Sequence, residues 1–379
     1  MTVVLTGATG FLGSRLLRGL LATGRSITAL GRDKDGQTLA ARLHHALRAA
    51  GADHNELARA QQHLTAVPTD ITQPHLGLTP THHRQLAEQA KAIWHCAASV
   101  SLVETAHHLA PINVDATRHI TELADLSPTQ APLIHISTLY LAPHPLTAPA
   151  TTPPLSTDTT EPAGGYAQTK RQAEAVVHHW ATSRRRTALL LRPGLLTTDR
   201  PVPADAPQQP LSTIKTAAEH LLQRLPLPLR HALAAPGSSR HRLRIRLALP
   251  PESHVNVLDV DYAVDAMLRL SRIPHDAGPT TYSVTHPVDT PITALVSAAN
   301  TLIPGIALAL HPLTTNPNPL EQQVNQLLTR IFLHGRRTHA DDAVPLPQAL
   351  PGAPPPALID HTYLAAVLNS IAASASTVA

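Results

Sequence analysis

The chain has 379 residues, 43% hydrophobic and 15% charged, a balance that excludes global disorder and allows one large or two coupled domains with a sizeable core. Its formal charge of +4 suits an anionic partner, yet aromatic residues make up only 2%, too few for the stacking faces of a single-strand nucleic-acid binder. Cys96 is the one cysteine, no run reaches the ~18 apolar residues of a membrane helix, and the 25 histidines lack any metal-ligand spacing, so no disulfide, membrane span or metal site is expected.

In chain order, short apolar runs predict strands at Val3–Leu5, Ser26–Leu30, Leu64–Val67, Ala92–His95, Leu133–Ile136 and Ala188–Leu191. Helix-compatible spacing falls between them, over Leu12–Thr23, Leu39–Ala50, Thr81–Gln89, Val114–Ala124 and Tyr166–Thr182. This alternation predicts an α/β fold with a doubly wound parallel Rossmann-type sheet over residues 1–200. Beyond Asp199 the composition turns Pro-rich, marking a boundary. Residues 211–235 read as helical, Arg240–Leu249 as a strand, His254–Leu270 as a strand and helix, and Thr280–Thr285 as a strand. Residues 253–290 are expected to return to the sheet domain. A smaller, mostly helical C-terminal substrate domain is expected from 201–252 and 291–379, with a Pro/Ala-rich loop at 341–356 and a frayed tail from Ser374.

Thr6-Gly7-Ala8-Thr9-Gly10-Phe11-Leu12-Gly13 follows the first strand and opens the first helix, where glycines let the backbone approach a pyrophosphate on the helix N-terminus. Gly7, Thr9, Gly10, Phe11, Leu12 and Gly13 are therefore candidate dinucleotide-binding residues; Trp94 is read as core. After the second strand, Arg32 suits the 2′-phosphate of NADP, with Arg42 on the next helix as a second contact. Asp33, one place later, keeps NAD as the alternative. Tyr166 and Lys170 stand one helical turn apart on one face, a spacing that suits proton transfer beside a nicotinamide. Ser137-Thr138 ends a strand at the sheet edge where such folds bind ligands, and a hydroxyl there can bind a carbonyl oxygen. The arginines 240, 242, 244 and 246 share one strand face and Arg184–Arg186 form a run; either could receive coenzyme A phosphates or an acidic carrier protein.

TGATGFLG, HCAASV, INVDAT, HISTLYL, GYAQTK and LRPG, in this order, resemble the extended short-chain dehydrogenase/reductases. LGRD, TDITQPHLGL, IWHCAASVSLV and VNVLDVDYAVDAM are most similar to thioester reductases and fatty-acyl reductases. The resemblance covers residues 2–285. It implies Thr138, Tyr166 and Lys170 as the catalytic triad, with Lys170 holding the cofactor ribose and depressing the tyrosine pKa. It also implies Asp70 and Ile71 beside the adenine, Ala97 and Ala98 on the ribose side, and Pro193 and Leu195 near the nicotinamide. Thr69, Gly31 and Ala116 depart from its usual pattern.

The expected activity is NADPH-dependent reduction of an acyl thioester, bound to a carrier protein or CoA, to an aldehyde or alcohol. The chain would act in trans, in the reducing cytoplasm that the lone cysteine and the opening MTVVLTG suggest. The alternatives are a ketone or secondary-alcohol oxidoreductase or an epimerase-like enzyme on the same scaffold, and a non-catalytic NADP-binding regulator.

Overall fold

The computed structural model describes residues 2–101, 104–141, 165–211, 243–302, 306–311, 316–318, 321–322, 325 and 343–370. Residues 212–242, which hold most of the helix expected over 211–235 together with Arg240 and Arg242, lie outside them, as does the tail from 371.

The described strands are β1 (Thr2–Thr6), β2 (Ser26–Gly31), β3 (Leu64–Pro68), β4 (Ala90–His95), β5 (Leu133–Ile136), β6 (Thr187–Pro193), β7 (Leu195–Thr197), β8 (Leu243–Leu247), β9 (His254–Val255), β10 (Val257–Asp259), β11 (Gly278–Val284), β12 (Thr290–Pro291), β13 (Ile306–Leu310) and β14 (Val344–Pro345). The helices are α1 (Phe11–Ala22), α2 (Leu39–Ala49), α3 (His54–His63), α4 (Pro80–Gln89), α5 (Ala106–Ala110), α6 (Ala116–Asp125), α7 (Gly165–Arg184), α8 (Val260–Leu270), α9 (Ile292–Leu302), α10 (Leu346–Ala349) and α11 (His361–Ser370).

Two compact units result. The first comprises Met1–Gly194, Val260–Thr285 and Arg337–Pro354 and carries an eight-stranded sheet in the order β14-β11-β6-β5-β4-β1-β2-β3. Every pairing in it is parallel. Strand order reverses between β1 and β4, which opens a crevice at their carboxyl ends. Val3, Val4 and Leu5, like Leu133 and Ile134, are buried, as strands covered by helices on both faces require. Trp94 is fully buried among them, as expected. One helical group packs α1 with α2, α3 and α8; another packs α4 through α7. Ile120, Leu123, Val177 and Trp180 of the second group close a core over Val4, Ile93 and Leu190.

Side-chain caps set several helix starts. Thr38, Thr79 and Thr105 each accept a backbone N–H of the first turn. The polar helix α3 was not expected, because only Ala60 on it is buried and no apolar period marks it. Its signal was the Asp53–Glu56 capping box, in which each side chain accepts the other residue's N–H. The expected loop at 341–356 is partly ordered structure: Val344 and Pro345 pair with Tyr282 and Ser283, so β14 extends the sheet of the first unit.

The second unit comprises Leu195–Asp259, His286–Arg336 and Pro355–Ala379. Residues 253–259, expected with the sheet domain, thus cluster here. Its described part pairs β7 with β10 and β8 with β13 in parallel, and β9 with β12 antiparallel; α9 packs on α11. Gln209 is buried and bonds Thr198 and Ser370, which ties this unit's last helix to its first segment.

Candidate active site

The turn between β1 and α1 is built by close approach. Gly7 has φ +73°, and a Cβ on it would lie 2.6 Å from the Ala97 nitrogen. A Cβ on Gly13 would lie 1.9 Å from the Gly7 oxygen, so α1 can start this near the turn only with glycine. Gly10 donates to Gly7 O at 2.9 Å and precedes α1 without a side-chain cap. The first-turn N–H groups therefore lack an intrahelical or side-chain acceptor at the switch point, the environment a pyrophosphate needs. A nicotinamide dinucleotide fits this cradle. Thr9, Phe11 and Leu12 are half-buried around it, and the Arg15 guanidinium lies over the Phe11 ring at 4.2 Å.

At the end of β2, Arg32 is exposed. Arg42 donates through Nη1 to the Arg32 carbonyl and through Nη2 to Thr9 Oγ1 at 3.4 Å, linking α2 to the glycine turn. Asp33 is occupied otherwise: its Oδ1 accepts the Leu39 N–H at 2.7 Å at the start of α2. Asp70 Oδ1 accepts the Thr72 N–H and hydroxyl at 3.0 and 2.7 Å. Burial raises the Asp70 carboxyl, but the Thr72 bonds and the Arg32 charge outweigh it and hold the group below its ordinary range. Ile71 O accepts from His119 Nδ1 at 3.0 Å, fastening the 70–77 loop to α6.

Beyond β4, Ala97 and Ala98 are half-buried, and the Ala97 N–H donates to Thr6 Oγ1 at 3.2 Å. Buried His95 bridges Thr6 Oγ1 at 2.8 Å and Thr117 Oγ1 at 3.1 Å. The Thr117 hydroxyl already donates to Asn113 O, so His95 Nε2 carries the proton and Nδ1 accepts from Thr6. Burial, then the Lys170 charge, push the His95 imidazole down to about 3.

Thr138 is buried just past β5, and its Oγ1 accepts the Tyr140 N–H at 3.2 Å. Tyr166, which α7 presents in its first turn, lies near enough for Thr138 to act on its phenol. Burial and the neighbouring Cys96 push the phenol up to about 12 against the opposing Thr138 bond. Lys170, one turn on, is buried and donates to Ile136 O at 2.6 Å, with His135 Nε2 at 3.4 Å. Burial lowers its ammonium to about 8, against the Glu174 and Cys96 charges. Burial and Cys96 thus set the raised phenol, while the Lys170 ammonium is held by the last carbonyl of β5.

Sequence reasoning assigned Asn113 no role. It lies in a π-helical turn over Pro111–Asp115, joins Ser99 through both backbone polar atoms at 2.7 and 3.0 Å, and donates to Thr169 Oγ1 at 3.0 Å. Its amide thereby ties the loop after β4 to the turn of α7 that carries Tyr166 and Lys170. Pro111 inside a helical stretch was the available signal, and such turns occur often at functional sites.

Pro193 ends β6, and its carbonyl accepts the Leu139 N–H at 2.9 Å, beside Thr138. Leu195 belongs to the second unit and pairs with Val257. Among the described members of the arginine clusters, three have partners within the protein. Arg246 forms a paired contact with Glu321 at 2.8 and 2.7 Å, Arg184 pairs with Asp125, and buried Arg186 donates to Ala124 O. Arg244 is exposed.

The profile of the male sterility protein family matches residues 5–267. The chain belongs to the male sterility protein family. It is thereby an extended short-chain dehydrogenase/reductase, a class of NAD(P)-dependent oxidoreductases. Among relatives of this male sterility family member, an isonitrile lipopeptide synthase of Streptomyces coeruleorubidus is 34% identical over 180 residues, 47% of this chain and 12% of that one. Human fatty acyl-CoA reductase 1 is 34% identical over 143 residues, 36% of this chain and 28% of that one. The chain therefore aligns with a minor part of each curated relative. The terminal R domain of the myxalamid PKS-NRPS pathway shares the fold at 24% identity, with a TM-score of 0.69 over 98% of this chain and 90% of that one. Among the described residues, no helix is long and apolar enough to cross a membrane.

Proposed function

We propose that the protein reduces an acyl thioester, presented on a carrier protein or coenzyme A, with NADPH as the reductant. The observation that carries this reading is the convergence of buried Thr138 at the end of β5 with Tyr166 and buried Lys170, one helical turn apart on α7, in the unit that bears the glycine turn. The similarity to a fatty acyl-CoA reductase and a lipopeptide synthase supports the thioester as the group reduced.

The glycine turn would hold the pyrophosphate, and Arg32 with Arg42 the 2′-phosphate, since Asp33 is committed to the start of α2. When bound, the reduced nicotinamide supplies a hydride. Thr138 would then orient the thioester carbonyl through its hydroxyl. Tyr166, held protonated at neutral pH by its raised pKa, would donate its proton as the carbonyl oxygen gains charge. The remaining N–H of Lys170 would hold the ribose. Collapse of the resulting hemithioacetal breaks the C–S bond and returns the hydroxyl proton to Tyr166, releasing an aldehyde and a thiolate that takes up a proton from solvent. A second round of reduction would give an alcohol.

The test couples NADPH consumption to free-thiol release over a panel of acyl-CoA and acyl-pantetheine thioesters. Coupled signals are expected, with about one NADPH per thiol for an aldehyde product and about two for an alcohol. NADPH binding without thiol release, with turnover of ketones or secondary alcohols instead, overturns the thioester reading.

A further inference from the structure

The Lys170 ammonium is buried, yet little around it carries opposite charge. Every facing element contributes a titratable group. From β4 comes His95, whose two nitrogens are spent on Thr6 and Thr117. Next to it is Cys96, whose thiol burial pushes up to about 12, so that it stays protonated. From α7 come Tyr166, equally protonated, and Glu174, whose carboxylate is bound through both oxygens by Arg192 of β6 at 2.9 and 2.6 Å. What touches the ammonium directly are two neutral acceptors at the end of β5: Ile136 O at 2.6 Å and His135 Nε2 at 3.4 Å.

His135 is an odd residue for its place. It is fully buried in the centre of the sheet, where its strand neighbours Leu133, Ile134 and Ile136 are apolar. Its ring lies 5.3 Å from that of His95, tilted by 46°, and its Nδ1 has no hydrogen-bond partner among the described residues. A buried nitrogen left unpaired destabilises the fold, and a leucine or phenylalanine would avoid that cost. The arrangement makes sense if the other nitrogen is needed as a lone pair: with Nε2 accepting from Lys170, Nδ1 must carry the proton and face the unpartnered side. Burial and the Lys170 charge both oppose protonation of this imidazole, which preserves the lone pair.

We propose that His135 is a positioning residue, whose neutral imidazole accepts a hydrogen bond from Lys170 and, with Ile136 O, holds that ammonium charged and aimed for the cofactor ribose. Two of the three ammonium N–H groups are thereby assigned within the protein, leaving one for a ligand. The proposal rests on the role of Lys170 in cofactor binding given above, and its test separates the two.

NADPH dissociation constants are measured by nucleotide fluorescence from pH 6 to 10 for the wild type, His135→Phe and His135→Gln, with thermal melts to verify folding. Wild-type affinity is expected to fall as Lys170 loses its proton. His135→Phe removes the acceptor, and the midpoint should move down by about one pH unit, the scale of one hydrogen bond to a charged group. His135→Gln, whose amide oxygen can reach the Nε2 position, should restore it toward the wild type. Coincident wild-type and Phe midpoints, or a Gln variant that behaves like Phe, overturn the proposal. The contact itself is read from the ¹⁵N histidine spectrum of the wild type at pH 6.5, with His135 assigned by its loss in His135→Gln. An unprotonated Nε2 that shifts in Lys170→Met supports the proposal even if His135→Phe fails to fold; an Nε2–H signal, or no shift, refutes it. Unchanged NADPH affinity in Lys170→Met, with the histidine shift present, refutes only the ribose role.

Discussion

Replacing Arg192 with methionine should destabilise the first unit severely. Arg192 and Glu174 have side chains only 3% and 1% exposed, and their paired contact at 2.9 and 2.6 Å is a charge-assisted one between buried groups. Arg192→Met leaves the Glu174 carboxylate buried and uncompensated, which costs about 3–5 kcal/mol. At ~2–4 °C per kcal/mol for a unit of this size, the melting temperature should fall by ~6–20 °C. The double variant Glu174→Leu/Arg192→Met removes both charges together with their desolvation penalty. It should melt within a few degrees of the wild type or above it, because apolar replacement of a buried pair is often neutral or stabilising. Thermal melts of the wild type, both single variants and the double variant form a complete cycle. An Arg192→Met cost below ~1 kcal/mol, the range of an exposed pair, would refute the reasoning. So would a double variant whose loss equals the sum of the singles.

Gly13→Ala places a Cβ 1.9 Å from Gly7 O, and the overpacking should cost ~1–3 kcal/mol and weaken NADPH binding at least ~10-fold by calorimetry. Gly24→Ala, at φ +74° with nothing within 4 Å, should lower stability by about 1 kcal/mol and leave that affinity unchanged. Arg32→Ala and Arg42→Ala should each weaken NADPH by ~10- to 100-fold while sparing NADH; equal losses for both nucleotides would refute the 2′-phosphate assignment. Tyr166→Phe should lower kcat by ~10²–10⁴-fold with little change in the NADPH dissociation constant, and retained turnover would sink the proton-donor role. His95 has a pKa of about 3 in the fold and near 6.5 unfolded, so the unfolded chain binds the extra proton between those values. Its contribution to stability is complete above pH ~6.5 and is lost on acidification, at ~1.4 kcal/mol per pH unit. Urea unfolding at pH 7 and pH 5 should show the fall, and a flatter slope is expected for His95→Phe.

The sheet was legible because its strands are short apolar runs, buried on both faces, whose signal is local. The glycine turn was legible for a related reason: crowding around Gly7 and Gly13 admits no other residue, so the constraint is written at those positions. Helix α3 escaped because its stability comes from a cap and not from an apolar face, and periodicity is blind to caps. Tyr166 and Lys170 were recognisable as a pair one turn apart, but their environments depend on residues far away in the chain. The tyrosine meets Thr138 and Cys96, while the lysine meets the end of β5. Asn113 joins residues 14 and 56 positions away, and Arg246 finds Glu321 across 75 positions. Such contacts leave no periodic trace, which is why the sequence pattern could not show that Arg246, one member of the arginine stripe, is held by Glu321.

The chain passes between its two compact units five times, at 194/195, 259/260, 285/286, 336/337 and 354/355. No single cut can release either unit intact, and neither can be produced as one uninterrupted fragment. During synthesis, β1 to β6 emerge early, but the sheet gains its last strands only after β11 and then β14 have left the ribosome. Until then the outer edge of β6, and later that of β11, presents unpaired backbone to any neighbouring chain. The nascent chain is thus most prone to mispairing between the emergence of β6 and that of β14, when the nucleotide cradle at β1 is already assembled, and a ligand that binds the cradle early would stabilise the half-built domain by mass action.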